Sequence, residues 1–203
     1  MSELLMKEIA KKLVETLEIC EREMKPAMPE ALKAKSVLPM RSQLLDQRIA
    51  VHLDEQREIQ AAEQKMLEAR KWLEGKEINP HYLEHSDYSI NCGSCAFALW
   101  RRLNGEDPDA KATRRNIAPT IESMELLTGL KYERSSPEKI EQLLRARGPS
   151  SHLIVCITRS RGNGHWFNAG FDGKRVYNMD AQIGKMEPWP RDYGDVISWG
   201  ILT

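Results

Sequence analysis

Two cysteines three residues apart open an apolar, helix-spaced stretch, Asn91-Cys92-Gly93-Ser94-Cys95-Ala96-Phe97-Ala98-Leu99. The first N–H groups of a helix lack partners within it and its dipole is positive there, so a thiol at that end is favoured as the thiolate. Three chemistries use such a pair. A zinc site needs four ligands; a second Cys-x-x-Cys is absent, and Cys156 with His165 would complete only an improvised set. A thioredoxin-like redox pair follows a strand in a βαβ unit, and Tyr88-Ser89-Ile90 is too short to supply one. A catalytic cysteine borrows a histidine from elsewhere in the fold. The plain alternative is packing: Cys95, Ala96, Leu99 and Leu103 form a core stripe, and Cys20 and Cys156 lie in apolar stripes of their own.

The partner segment is Gly164 to Asp180. Asp172-Gly173 divides two β-prone runs there, which signals a two-residue hairpin turn. A turn at that dipeptide pairs Phe171 with Lys174 and sets His165 directly opposite Asp180, on one face with Cβ atoms about 5 Å apart. That face carries His165, Phe167, Ala169, Phe171, Val176 and Asp180; the other carries Trp166, Asn168, Gly170, Arg175, Tyr177 and Met179. A carboxylate at the end of an apolar face is costly unless paired, and a histidine opposite it both satisfies it and has its tautomer fixed. A bare cross-strand ion pair would be worth little. With a helix-terminal cysteine in the same domain, the catalytic reading is favoured. His52, His81, His85 and His152 are read as structural.

These residues need a scaffold, and composition divides the chain that builds it. Of 12 glycines only Gly75 lies in the first 82 residues, and of the aromatic residues only Trp72 and Tyr82 do. That stretch reads as helical: Leu4, Leu5, Ile9, Leu13, Leu17 and Cys20 form one stripe, ended by Pro26 and Pro29. Leu45, Ile49, Ile59, Ala62, Met66, Ala69 and Leu73 form a second, predicted from about Ser42 to Leu73, so residues 1–82 are expected to form an antiparallel helical hairpin. It either packs on the downstream domain or serves as an adaptor or regulatory element. Residues 83–203 change period. Helices are predicted for Ser94–Leu103, Pro119–Leu127 and Pro137–Arg147, then strands for Leu153–Thr158, His165–Phe171, Lys174–Asp180 and Val196–Leu202. Helices succeeded by hairpin-linked strands predict an α+β domain with an antiparallel sheet.

The whole chain has 203 residues, with 30 basic and 30 acidic side chains that cancel. The balance argues against nucleic-acid binding through a basic surface and against a polybasic membrane anchor. The first 25 residues offer no apolar run for a signal peptide or membrane span, and four cysteines are too few for a disulfide scaffold, so a chain made in the cytosol is expected.

Three motifs in order resemble a known family, the papain-fold toxin domains that include glutamine deamidases of bacterial polymorphic toxins and secreted effectors. They are Asn91-Cys92-x-x-Cys95-Ala96 with Leu103-x-Gly105 after it, Gly164-His165-x-Phe167-Asn168, and Asp180-x-Gln182-x-Gly184. The resemblance implies a papain-like fold and a triad of Cys92 as nucleophile, His165 as base and acid, and Asp180 as orienting carboxylate. Asn91, Cys95, Asn168 and Gln182 would support it, and N–H groups near Cys92 would bind the oxyanion. Cys-Gly-Ser-Cys is also similar to the papain proteases, whose second cysteine acts, which keeps Cys95 as the alternative nucleophile. The implied reaction converts a glutamine side chain of a protein substrate to glutamate, with no metal or organic cofactor. Peptide hydrolysis by the same residues, or a non-catalytic interaction module, are the alternatives. The resemblance further implies delivery into a target cell by a specialised secretion system and a cognate immunity protein.

Overall fold

The structure is a computed structural model that describes residues 37–114, 119–161 and 164–203, without the side chains of 37–42 and 44. The helix expected over Leu4 to Cys20, and with it the first arm of the helical hairpin, lies outside those residues. The chain divides into two units between Leu53 and Asp54. In the first, the described residues are helical and open α1 (Val37–Glu74). The second, Asp54–Thr203, holds the remainder of α1 and every other element.

That second unit is α+β. Its helices are α2 (Cys92–Leu103), α3 (Ile121–Thr128) and α4 (Pro137–Arg147), and its strands are β1 (Tyr132–Ser135), β2 (His152–Arg159), β3 (His165–Phe171), β4 (Val176–Asp180), β5 (Lys185–Pro188) and β6 (Val196–Leu202). The six strands form one sheet, ordered β1-β6-β2-β3-β4-β5, antiparallel at every pairing. Local chemistry marks the ends. Ser136 caps α4 by accepting from the Lys139 N–H, with Pro137 in the first turn, and Thr120 caps α3 by accepting from Ser123. The four-residue β1 and β5 were not foreseen. They are the short outer strands, charged and, in β5, ended by Pro188, which blunts the sheet edges.

Both faces of the sheet are covered, so all seven residues of β3 are buried, a run that alternation alone would not predict. On one face, Met66, Ala69 and Leu73 of α1 pack with Cys95, Ala98 and Leu99 of α2 and with Met179. Beside them Cys92 and Ala96 meet Met124, Ile154, Cys156 and Trp166. On the other face, Ile140 and Leu144 of α4 cover Leu153, Val155, Phe167 and Ala169. The expected stripe of α1 is therefore real from Ala62 onward, and it is a core face of the sheet-bearing unit. No helix among the described residues is long and apolar enough to cross a membrane.

The hairpin register departs from expectation by two residues. Phe171 pairs with Val176 rather than Lys174, and Asn168 with Met179, so Asp180 is not directly opposite His165. The reason lies in Asp172. Its carboxylate accepts from the N–H groups of Lys174 (2.7 Å) and Arg175 (2.6 Å), which lengthens the connection and leaves Gly173, at φ 95°, to make the reversal. A shift of two keeps every side chain on its face, so His165 and Asp180 become diagonal neighbours on a common face.

Candidate active site

The diagonal placement still closes the contact. His165, the first residue of β3, has its Nε2 2.7 Å from Oδ2 of Asp180, the last residue of β4. A carboxylate can only accept, so Nε2–H is the donor, which leaves Nδ1 free of Asp180. Cys92 is the first residue of α2 and lines the same cavity of about 380 Å³ as His165, Asp180 and Gln182. That size sits at the small end for ligand sites and suits one extended side chain with its flanking backbone. Burial works against a charge on His165. Hydrogen bonds to Asp180 and Cys92, and the charges of both, outweigh it and push the imidazole up to about 9. The histidine beside the cysteine is therefore protonated at neutral pH.

The three described cysteines are all free, and their surroundings differ. Cys95 is 1% exposed in the core. Burial first, then the charges of Cys92 and Asp180, hold its thiol far above the ordinary range, and its Sγ donates to Asn91 Oδ1 at 3.2 Å. Cys156 is pushed up to about 12 by burial and by the charge of Cys92. Of the three, Cys92 is the one that lines the cavity.

Asn91, the residue before α2, makes no side-chain cap. Its amide instead donates to Asn79 Oδ1 (3.2 Å) and to the Thr113 carbonyl (3.3 Å). The first N–H groups of α2 are thus left uncapped by this side chain at the end where Cys92 sits. Asn79, 2% exposed, donates from Nδ2 to the carbonyls of Tyr88 and Gln182, both at 3.0 Å. It ties the segment before Cys92 to the turn after Asp180, a link no spacing in the sequence announces. Gln182 donates its backbone N–H to Asp180 Oδ1 (3.2 Å) and its side-chain amide to the Ser89 carbonyl (3.0 Å). Gly184, at φ 72°, lies so close to α1 that a Cβ there would meet the Leu73 carbonyl oxygen at 2.6 Å, which accounts for the glycine of the third motif.

Asn168 is not brought to the cavity. It is fully buried in mid-strand, and neither its Nδ2 nor its Oδ1 has a hydrogen-bond partner among the described residues. Three cavity residues were missed. Tyr193 stacks on Phe167 with ring centroids 4.9 Å apart and lies 5.6 Å from the His165 ring. Arg191 Nη1 is 3.1 Å from Glu187 Oε2 and 3.6 Å from Asp180 Oδ2. Arg159 ends β2. Because β2 and β3 form a hairpin, the end of β2 must lie beside the start of β3; the sequence carried that signal for Arg159. Tyr193 and Arg191 come from the β5–β6 connection, which carries none. Among the described residues no group of three or more His, Cys, Asp or Glu is placed to hold a metal ion.

An antiparallel sheet whose carboxylate-bound histidine shares a cavity with a cysteine that opens a helix is consistent with a papain-like fold. Residues 90–185 match the family described as papain fold toxin 1, glutamine deamidase. The resemblance read from the three motifs therefore holds, over somewhat less than half of the chain. No curated protein matches it.

Proposed function

We propose that this protein is a toxin or effector that deamidates a glutamine side chain of a target protein, with Cys92, His165 and Asp180 as its triad. The observation that carries the reading is the His165–Asp180 contact of 2.7 Å in one small cavity with Cys92. The Cys92 thiolate attacks the carboxamide carbon, and the N–H groups opening α2 bind the oxyanion. His165 protonates the nitrogen as the C–N bond breaks and ammonia leaves. Water, giving a proton to the same imidazole, then splits the thioester to release glutamate and restore the thiol. Asp180 orients the ring throughout, and a negative charge replaces a neutral amide on the target. The toxin description of the matching family supports a target in another cell, and hence a delivery route and an immunity partner.

Expression in bacterial and eukaryotic cells tests this reading. Wild type is expected to be toxic and to convert a cellular protein with a gain of about 1 Da per amide, and Cys92→Ala to do neither. New chain termini without ammonia would make the enzyme a peptidase. Full conversion by Cys92→Ala would remove the nucleophile assignment.

A further inference from the structure

The cations of the cavity are not equivalent. His165 is held by Asp180, and Arg191 by Glu187 and Asp180. Arg159 is different. It lines the cavity and stands 5.8 Å over the Tyr193 ring, yet it makes no ion pair with a described residue. Its Nε is buried without a hydrogen-bond partner, as is Arg191 Nη1, but Arg191 has carboxylates within ion-pair distance and Arg159 has none among the described residues. Asp195, whose carboxylate feels its charge, is committed to the Ser160 hydroxyl (2.6 Å) and the Arg161 N–H (2.8 Å). Arg159 is half-buried, with Nε covered, so its guanidinium meets the cavity without a carboxylate of a described residue to neutralise it.

Its position is fixed by the sheet. Ile157 pairs with His165, and Arg159 is two residues further along the same strand. The pairing with β6 shifts register between Thr158 and Arg159, and Arg159 lines the same cavity as His165, about 7 Å further along the strand at 3.3–3.4 Å per residue. That span equals two residues of an extended chain. A guanidinium presents parallel N–H donors that match a carboxylate bidentately.

We infer that Arg159 forms an anion subsite that receives the carboxylate of an Asp or Glu within two residues of the reactive glutamine, so that the preferred substrate is an acidic segment. The inference rests on the deamidase reading for its substrate, while the subsite can be probed without it. Iodoacetate and iodoacetamide alkylate the same thiol with loss of iodide and differ in carrying a carboxylate or a neutral amide. In the full chain, the ratio of their rates at Cys92, tracked by peptide mass spectrometry, is expected to fall about fivefold or more in Arg159→Gln, as for loss of one nearby charge. Arg159→Lys keeps the charge and is expected to restore the ratio. An unchanged ratio in Arg159→Gln would overturn the subsite.

A second arm uses wild type alone, with glutamine peptides flanked by Asp, Ala or Lys and ammonia release as the readout. The expected order is Asp, then Ala, then Lys. Equal release from all three upholds deamidation and overturns the subsite. An Arg159-dependent alkylation ratio with no ammonia from any peptide upholds the subsite and overturns deamidation.

Discussion

The β3–β4 hairpin carries a buried aspartate at each end, and the two differ in who hydrogen-bonds them. Asp172, 5% exposed, accepts from the N–H groups of Lys174 and Arg175 and from the Tyr177 hydroxyl at 2.9 Å. Asp180, 2% exposed, accepts from His165, 15 residues away, and from the Gln182 N–H. Both carboxylates meet the cost of burial with donors, as buried charges must. At the turn the donors are backbone and phenol, all within five positions, and none exchanges a proton near neutral pH. At the open end one donor is an imidazole that titrates at about 9. The same residue type is a turn staple or a chemical component according to whether its partner can titrate.

The strongest way to break this contrast is to exchange the carboxylates for amides. Asp180→Asn is expected to lower the rate of ammonia release by about 10²–10⁴-fold, since the ring loses the charged, acceptor-only partner that fixes its tautomer. A loss no larger than that of Asp172→Asn would erase the distinction. The pH dependence separates them further. His165 is raised from 6.5 to about 9 in the folded protein, so the native state holds its proton more tightly than the unfolded chain. The stability this supplies is complete below about pH 6.5 and is lost as pH rises through about 9. Cys92, Arg159, Asp180, Arg191 and Tyr193 are the groups that share its cavity, and Asp180 supplies the largest upward pull. Denaturation of wild type across pH 6–10 should show that decline, and Asp180→Asn should flatten it.

Asp172 tests the other half. Asp172→Ala leaves two backbone donors and one hydroxyl without their acceptor, and a loss of about 2 kcal/mol is expected in denaturant unfolding. Ammonia release per folded molecule should stay within about threefold. A larger loss of activity would show that the register at the open end depends on the turn.

These two aspartates also show what a sequence can disclose. The parity of the strands was legible, because alternation fixes which side chains share a face, so His165 and Asp180 could be placed together. The register was not, because Asp172 bonds its own succeeding backbone, and side-chain capping of a turn leaves no periodic trace. Helix ends at Ser136–Pro137 and strand β3 were legible for the opposite reason: caps and β-prone runs are local. Asn79, Arg191 and Tyr193 escaped because they lie in irregular connections, where no period or pairing places a side chain. Asn168 was given a supporting role only by the resemblance; three residues past His165 it takes the opposite face of the strand, and it lies in the core.

The contrast recurs within one helical turn, at Cys92 and Cys95, where its predicted effect is smallest. Both lie on α2 and both come after Asn91, but Cys95 is sealed between α1 and the sheet while Cys92 faces the cavity and His165. A thiol held far above its ordinary range, whose hydrogen goes to Asn91 Oδ1, has neither thiolate nor access to offer a substrate. Cys95→Ala removes one buried sulfur and one weak donor, so it should cost about 1 kcal/mol in denaturant unfolding and leave ammonia release within about threefold. Iodoacetamide should still label Cys92 in that variant, and should label neither position rapidly in Cys92→Ala. Loss of activity in Cys95→Ala with normal unfolding would instead make the second cysteine the nucleophile. Access to the cavity, which separates two buried thiols as donor partnership separates the two aspartates, would then have lost its power to tell structure from chemistry in this fold.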